Sequence, residues 1–180
     1  MSLDPQYFAE LYATNEDPWA FRTRWYEKRK RELVMASLPR QCYQRVFEPA
    51  CANGELSALL ADRCADLLCQ DLDPTAVALA RERLADVPNA SVEMARLPAD
   101  WPGGRFDLIV LSEVGYYLDP TDWLQVLEQS VASLTYDGGL LACHWKHPIV
   151  GCPQDGREVH RMLTRHLPLS RLPEHFDERR

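Results

Sequence analysis

The chain has 180 residues, 46% of them apolar and 26% charged, and a formal net charge of −7. That length suits one domain with a sizeable core, and the composition is that of an ordinary globular protein. The acidic balance gives no electrostatic ground for binding nucleic acid, and no apolar run approaches the roughly 20 residues that span a bilayer.

The opening residues, Met1-Ser2-Leu3-Asp4-Pro5, carry no basic segment followed by an apolar one, so a secretory leader is not expected. The six cysteines (Cys42, Cys51, Cys64, Cys69, Cys143 and Cys152) form no C-x-x-C pair and no zinc-finger spacing with histidine. They read as small buried thiols in a reducing cytoplasm, with no metal site.

In chain order, Asp4-Pro5 predicts a first helix with Phe8, Leu11 and Tyr12 on one face. Asp17-Pro18 is a turn or a second helix start. Residues 25–38 form a charged helix with apolar contacts at Leu33, Met35 and Leu38, ended by Pro39. Its charge run, 28–32, reads as a solvated face, or as a source of Arg29 or Lys30 for a ligand carboxylate.

From Arg45 the pattern changes. Val46-Phe47 is a short strand ending at Glu48-Pro49, followed by a helix over 56–62 with Leu56, Leu59 and Leu60 on one face. Leu67-Leu68-Cys69 is a second strand. Asp73-Pro74 starts a helix running through Leu84, with Asp as N-cap and Pro at the first turn. Residues 91–94 are a third strand after the Pro88-Asn89 turn. Past the turn Pro102-Gly103-Gly104, residues 106–111 are an almost unbroken apolar run, as in a parallel strand covered on both faces. Asp119-Pro120 starts a helix with Trp123, Leu124, Leu127, Val131 and Leu134 in one stripe, stopped by Asp137-Gly138-Gly139. Residues 140–143 are a fifth strand, and residues 155–167 a last helix with Val159 and Leu163 inward.

This alternation predicts a Rossmann-like, three-layer α/β/α sandwich with a mostly parallel sheet. The expected organisation is a single domain over 1–180, with a helical cap over 1–44 and the core over 45–180.

The segment Val46-Phe47-Glu48-Pro49-Ala50-Cys51-Ala52-Asn53-Gly54-Glu55-Leu56 is a strand, a tight small-residue loop and a helix. Small residues let the backbone approach a ligand closely. A dinucleotide site would favour G-x-G-x-x-G around a pyrophosphate. Here the small residues recur at every second position, and Glu55 would face the phosphates. An acid at Glu48 suits a ligand bearing an ammonium. Asp71, about twenty residues on, is placed for a ribose diol, and Asp73 for the helix cap.

These residues resemble motif I of the class I S-adenosyl-L-methionine (SAM) methyltransferases, D/E-x-G-x-G-x-G, with alanine at two of its three glycines. Alanine fits there if the backbone angles are negative. Arg105-Phe106-Asp107-Leu108-Ile109-Val110 resembles the family's fourth strand. Asp17-Pro18-Trp19, Trp25-Tyr26-Glu27-Lys28-Arg29-Lys30, Leu111-Ser112-Glu113-Val114-Gly115-Tyr116-Tyr117-Leu118 and His144-Trp145-Lys146-His147-Pro148 are similar to the nodulation protein S (NodS) branch. The resemblance spans residues 5–175.

It implies SAM as cofactor and N-methylation of an amino group on a sugar or other small molecule, a deacetylated chitooligosaccharide in the NodS branch. By the resemblance, Glu48, Ala50, Cys51, Asn53 and Gly54 hold the methionine half, Asp71 the ribose, and Leu72, Arg96 and Leu97 the adenine. Ser112, Glu113 and Val114 close the pocket beneath the sulfonium. Relatives carry Asp where Arg96 stands, and arginine cannot accept a hydrogen bond, so adenine recognition passes to backbone groups and Leu97.

Methyl transfer needs an aligned acceptor, excluded water and an unprotonated amine. Candidate catalytic residues are Glu113, Tyr117 and His144, past the carboxyl ends of the fourth and fifth strands, with Tyr116 and His147 beside them. Trp25 and Tyr26 are candidates for a lid, with core packing as the ordinary reading for Trp25. The alternatives are a small-molecule O-methyltransferase, a SAM-binding protein with little activity, and, disfavoured by the loop spacing, an NAD-dependent oxidoreductase. No membrane or nucleic-acid partner is expected, and the sequence does not set the oligomeric state. The family ends in an antiparallel strand pair, of which residues 169–175 could supply only the first. The expectation is an incomplete sheet edge or a shortened chain.

Overall fold

The computed structural model describes residues 1–172 and His175. Among these residues five strands, all parallel, form one sheet in the order β3-β2-β1-β4-β5: β1 (Tyr43–Pro49), β2 (Cys64–Asp71), β3 (Ala90–Met94), β4 (Phe106–Ser112) and β5 (Leu134–Cys143). The helices are α1 (Pro5–Thr14), α2 (Trp25–Ser37), α3 (Glu55–Ala61), α4 (Pro74–Arg83), α5 (Pro120–Ser133) and α6 (Gly156–His166), with a 3-10 turn over Gly115–Tyr117.

Alternation along the strands builds two cores. Val46, Leu67, Cys69, Leu108 and Val110 point to one face, where Leu56 and Leu60 of α3, Ala80 of α4 and Val34 of α2 cover them. Phe47, Leu68, Ile109 and Leu111 point to the other, against Trp123, Val126 and Leu127 of α5 and Val159, Met162 and Leu163 of α6. Because β4 is sandwiched between these layers and paired on both edges, every residue from Phe106 to Leu111 is buried. The Rossmann-like sandwich expected from the sequence is therefore the observed fold.

Three helix starts follow the predicted chemistry. The carboxylates of Asp4, Asp73 and Asp119 accept from the first free amides of α1, α4 and α5, and proline follows each cap. α1 packs Tyr12 against Ala76 and Leu79 of α4, so the N-terminal segment lies across the core.

The boundary between α5 and β5 differs from expectation. The helix ends at Ser133, and Leu134 begins the strand instead of closing the apolar stripe. Phe106 pairs with Leu134 but Leu108 pairs with Gly139. The excess residues bulge out of the ladder, leaving Tyr136 fully exposed. The pair Gly138-Gly139 thus ends a bulge, not a helix. Residues 169–172 form no strand, and Pro173 and Glu174 lie outside the described residues. Among the described residues β5 is one edge of the sheet and β3 the other.

Candidate functional site

From β1 the chain winds one way to β2 and β3 and the other way to β4 and β5. Open α/β sheets bind ligands at such a reversal, beyond the carboxyl ends of the strands. A cavity of about 560 Å³ lies there, lined by Glu48, Asp71 and Ser112 from three strand ends and roofed by α1, α2 and the segment between them. That size suits a small molecule.

The turn after β1 forms one wall. Ala50, Ala52 and Gly54 have φ of +57°, +49° and +78°. The expectation of negative angles at the two alanines is corrected. The chain must reverse within a few residues so that Cys51 N–H reaches Gln70 O at 3.0 Å and Ala52 N–H reaches Asp71 Oδ2 at 2.9 Å. The left-handed conformation costs an alanine about 1–2 kcal/mol. Gly54 does not line the cavity; a Cβ there would lie 3.2 Å from Ala80 Cα, so its role is close packing against α4.

Two carboxylates flank this turn. Glu48 is 3% exposed. Burial pushes its carboxyl up to about 8, which neighbouring Ser57 and Cys69 only partly offset. Asp71 accepts from Ala52 and, through Oδ1, from Asp73 N–H at 3.0 Å. Burial pushes it up to about 6 against those amides. Each of its oxygens keeps a second lone pair for a ligand. Asp73 takes the capping role, accepting from Thr75 and Ala76. Leu72, Arg96 and Leu97 line the far end of this half, with Arg96 N–H held by Asp100 at 2.9 Å.

Asn53 ties the turn to the cap: its Nδ2 donates to Asp17 Oδ1 at 3.2 Å. Asp17 also accepts from Phe21 and Arg22 N–H, which folds the α1–α2 connection over the cavity.

The opposite wall is Ser112, Glu113, Val114, Tyr116 and Tyr117. Glu113 adopts φ +56°. Its Oε1 accepts from Lys30 Nζ at 2.7 Å, and its Oε2 accepts from Trp145 N–H at 2.9 Å and from the Tyr116 hydroxyl. Lys30 also pairs with buried Glu27 at 2.7 Å. Burial opposes the charge on Lys30, but Glu113 and Glu27 outweigh it and hold the ammonium above its ordinary range. The rings of Phe21 and Tyr26 stand 5.7 and 5.9 Å from Nζ. Burial raises the Tyr116 and Tyr117 hydroxyls, and Phe8 packs edge-on to Tyr117 at 5.0 Å.

The cavity thus gathers Glu48, Ala50, Cys51, Asn53, Asp71, Leu72, Arg96, Leu97, Ser112, Glu113 and Tyr117. His144 is not among its lining residues; it lies half-buried behind the wall against Gly115 and His160. Tyr26 lines the cavity, edge-on to Trp145 at 5.7 Å, whereas Trp25 is 59% exposed outside it.

The charge run of α2 is split: Lys30 turns inward to Glu27, three residues before it. That i, i+3 acid–base spacing was the available signal. Asp17 was marked only by the resemblance of Asp17-Pro18-Trp19 and Tyr12 only as an apolar helix contact, because only the folded cap brings them to the sheet edge.

Residues 8–152 match the family model described as Nodulation protein S (NodS). Nodulation protein S of Sinorhizobium fredii (strain NBRC 101917 / NGR234) is 28% identical over 125 residues, covering 69% of this chain and 58% of that protein. The chain thus spans less than two thirds of that relative's length. A candidate methyltransferase structure from Pseudomonas syringae is 52% identical, with a TM-score of 0.77 over 86% of this chain and 94% of that one. The N-methyltransferase NodS from Bradyrhizobium japonicum WM9, in complex with S-adenosyl-L-homocysteine (SAH), is 25% identical. Its TM-score is 0.80 over 89% of this chain and 84% of that one. With the matched residues, the fold and the solved relatives in agreement, the chain belongs to the nodulation protein S (NodS) family.

Proposed function

We propose that this chain binds SAM in the cavity and N-methylates an amino group on a sugar or other small molecule. The observation that carries the reading is the pair of carboxylates, buried Glu48 and half-buried Asp71, on either side of a left-handed small-residue turn. Glu48 matches an α-ammonium, Asp71 has lone pairs to spare for a ribose diol, and Leu72 and Leu97 offer apolar walls to a base. The small residues recur at every second position instead of as G-x-G-x-x-G, which argues against NAD. The SAH complex of the Bradyrhizobium relative and the family match support the same ligand.

SAM brings its own activated methyl group. The protein's residues then have to orient the acceptor, exclude water and manage its proton. Glu113 and Tyr117 face the acceptor half in this reading, and α2 with Tyr26 and Lys30 covers it. His144 acts at one remove. A deacetylated chitooligosaccharide is the acceptor to test first, following the family. A cytoplasmic location is part of the reading, supported by six unpaired thiols. No helix among the described residues is long and apolar enough to cross a membrane.

The test is calorimetric titration with SAH and NAD, followed by labelled-methyl transfer to glucosamine and deacetylated chitin oligomers. SAH binding without NAD binding, together with methyl on nitrogen, is the expected result; NAD binding without SAH binding would sink the reading. A second reading, a SAM-binding protein with little activity, is favoured by one observation: both oxygens of Glu113 are already engaged by Lys30, Tyr116 and Trp145. SAH binding with no transfer to any amine would support it.

A further inference from the structure

Glu113 holds a left-handed backbone conformation, which persists in a non-glycine residue only where its surroundings over-determine it. Three consecutive residues, the last of β5 and the two after it, do so. Cys143 O accepts Glu113 N–H at 2.8 Å, Trp145 N–H donates to Glu113 Oε2 at 2.9 Å, and His144 Nε2 accepts Gly115 N–H at 3.0 Å. Gly115 is pressed against this grip. A Cβ there would lie 2.5 Å from Val159 Cγ1 and 3.1 Å from His144 Nε2. Gln154 closes the turn from the other side, donating to Leu118 O at 2.8 Å and Gly115 O at 3.3 Å.

The imidazole of His144 is set for this task. Its Nε2 accepts, so a neutral ring carries its proton on Nδ1, which stands 3.1 Å from His160 Nε2 and donates to it. Trp123 and Tyr116 pack edge-on to the ring, each at 5.7 Å. Burial, reinforced by His160 and Lys30, holds His144 well below the ordinary histidine range, which keeps Nε2 an acceptor.

We propose that His144 is a positioning residue: through Gly115 it fixes the 3-10 turn bearing Tyr116 and Tyr117, and so keeps Glu113 aimed into the cavity. Its catalytic consequence rests on the methyl-transfer reading; the geometric claim does not.

The test compares the wild-type chain with His144→Leu, which lacks the acceptor, and His144→Gln, whose Oε1 can take the place of Nε2. In His144→Leu the Gly115 amide should exchange with solvent about tenfold faster or more, and His144→Gln should restore its protection. Methyl transfer should follow, with kcat down about tenfold or more in His144→Leu and largely recovered in His144→Gln, while SAH affinity changes by less than about threefold. Nitrogen-15 spectra of wild type should show His144 protonated at Nδ1 and bare at Nε2, a readout independent of whether either variant folds.

An Nε2-protonated tautomer overturns the proposal. So does a His144→Leu variant with an unprotected Gly115 amide and undiminished kcat, or a His144→Gln variant no better than His144→Leu in both readouts. Wild type that neither binds SAH nor transfers methyl sinks the methyltransferase reading instead, and the amide and tautomer readouts still judge the clamp.

Discussion

Two walls of the cavity carry non-glycine residues in left-handed backbone, and they are held in different ways. The turn at residues 50–54 is fixed from nearby in sequence: Asp71, nineteen residues from Ala52, accepts its amide from the next strand. The wall at Glu113 is fixed from far away, by Lys30 at a separation of 83 residues and Trp145 at 32. The first is built within one β–α–β unit, with Asn53 tying it to the cap at Asp17. The second exists only when the cap, β4 and β5 have all come together. In the proposed reading, a ligand half bound by the first wall is recognised by local structure, whereas the acceptor half depends on the whole fold.

Four changes would break or sharpen that contrast. The largest effect is expected from Lys30→Met, which leaves Glu27 and Glu113 facing each other unpaired in a largely buried setting. Breaking such a pair costs about 3–5 kcal/mol, read as a lowered denaturant midpoint. A loss under about 1 kcal/mol would show the distant wall to be no more than a surface contact.

Glu48→Gln probes the local wall through pH. The folded carboxyl lies at about 8 against an ordinary 4.5. A raised carboxyl contributes stability that is present below the unfolded value and lost as pH rises through the folded one. Wild type without ligand should therefore weaken relative to Glu48→Gln by about 3 kcal/mol between pH 5 and pH 8, at roughly 1.4 kcal/mol per unit. Parallel stability curves for the two proteins would rule this out. The same variant should bind SAH more weakly by about 2 kcal/mol, the charge-assisted bond to the ammonium being lost.

Asp71→Ala should weaken SAM binding by about tenfold or more, roughly 1.4 kcal/mol, through the ribose contact. An unchanged dissociation constant in calorimetry would remove Asp71 from the ribose and leave it only its clasp on Ala52 and Asp73. The smallest change is Ala52→Gly. Relief of the left-handed alanine is offset by the backbone entropy of glycine, so a gain of no more than about 1 kcal/mol is expected. A measured destabilisation would mean that the methyl of Ala52 packs more usefully than its backbone strains.

Much of the molecule was legible from the chain. Asp-Pro pairs marked the starts of α1, α4 and α5, because a side-chain acceptor and a residue lacking an amide suit a helix's first turn. The apolar run ending at Leu111 marked a doubly covered strand, because only burial on both faces removes alternation. The bulged start of β5 was misread because Leu134 continues a helical stripe, and pairing with Phe106, not local preference, decides its state. The left-handed alanines escaped because nothing local favours them; the amide partners on β2 impose them.

By itself, then, the sequence determined the layered α/β architecture, the position of the ligand-facing turn and its two attendant acids, since these depend on periodicity and on contacts within one crossover unit. The tertiary structure alone decided that Lys30 turns inward to Glu113, that Asp17 holds the α1–α2 connection over the cavity, and that His144 stands behind a wall instead of lining the cavity. Each of those outcomes depends on charges and rings meeting across separations of 29 to 83 residues, and no spacing rule along a chain encodes which of many such groups will meet.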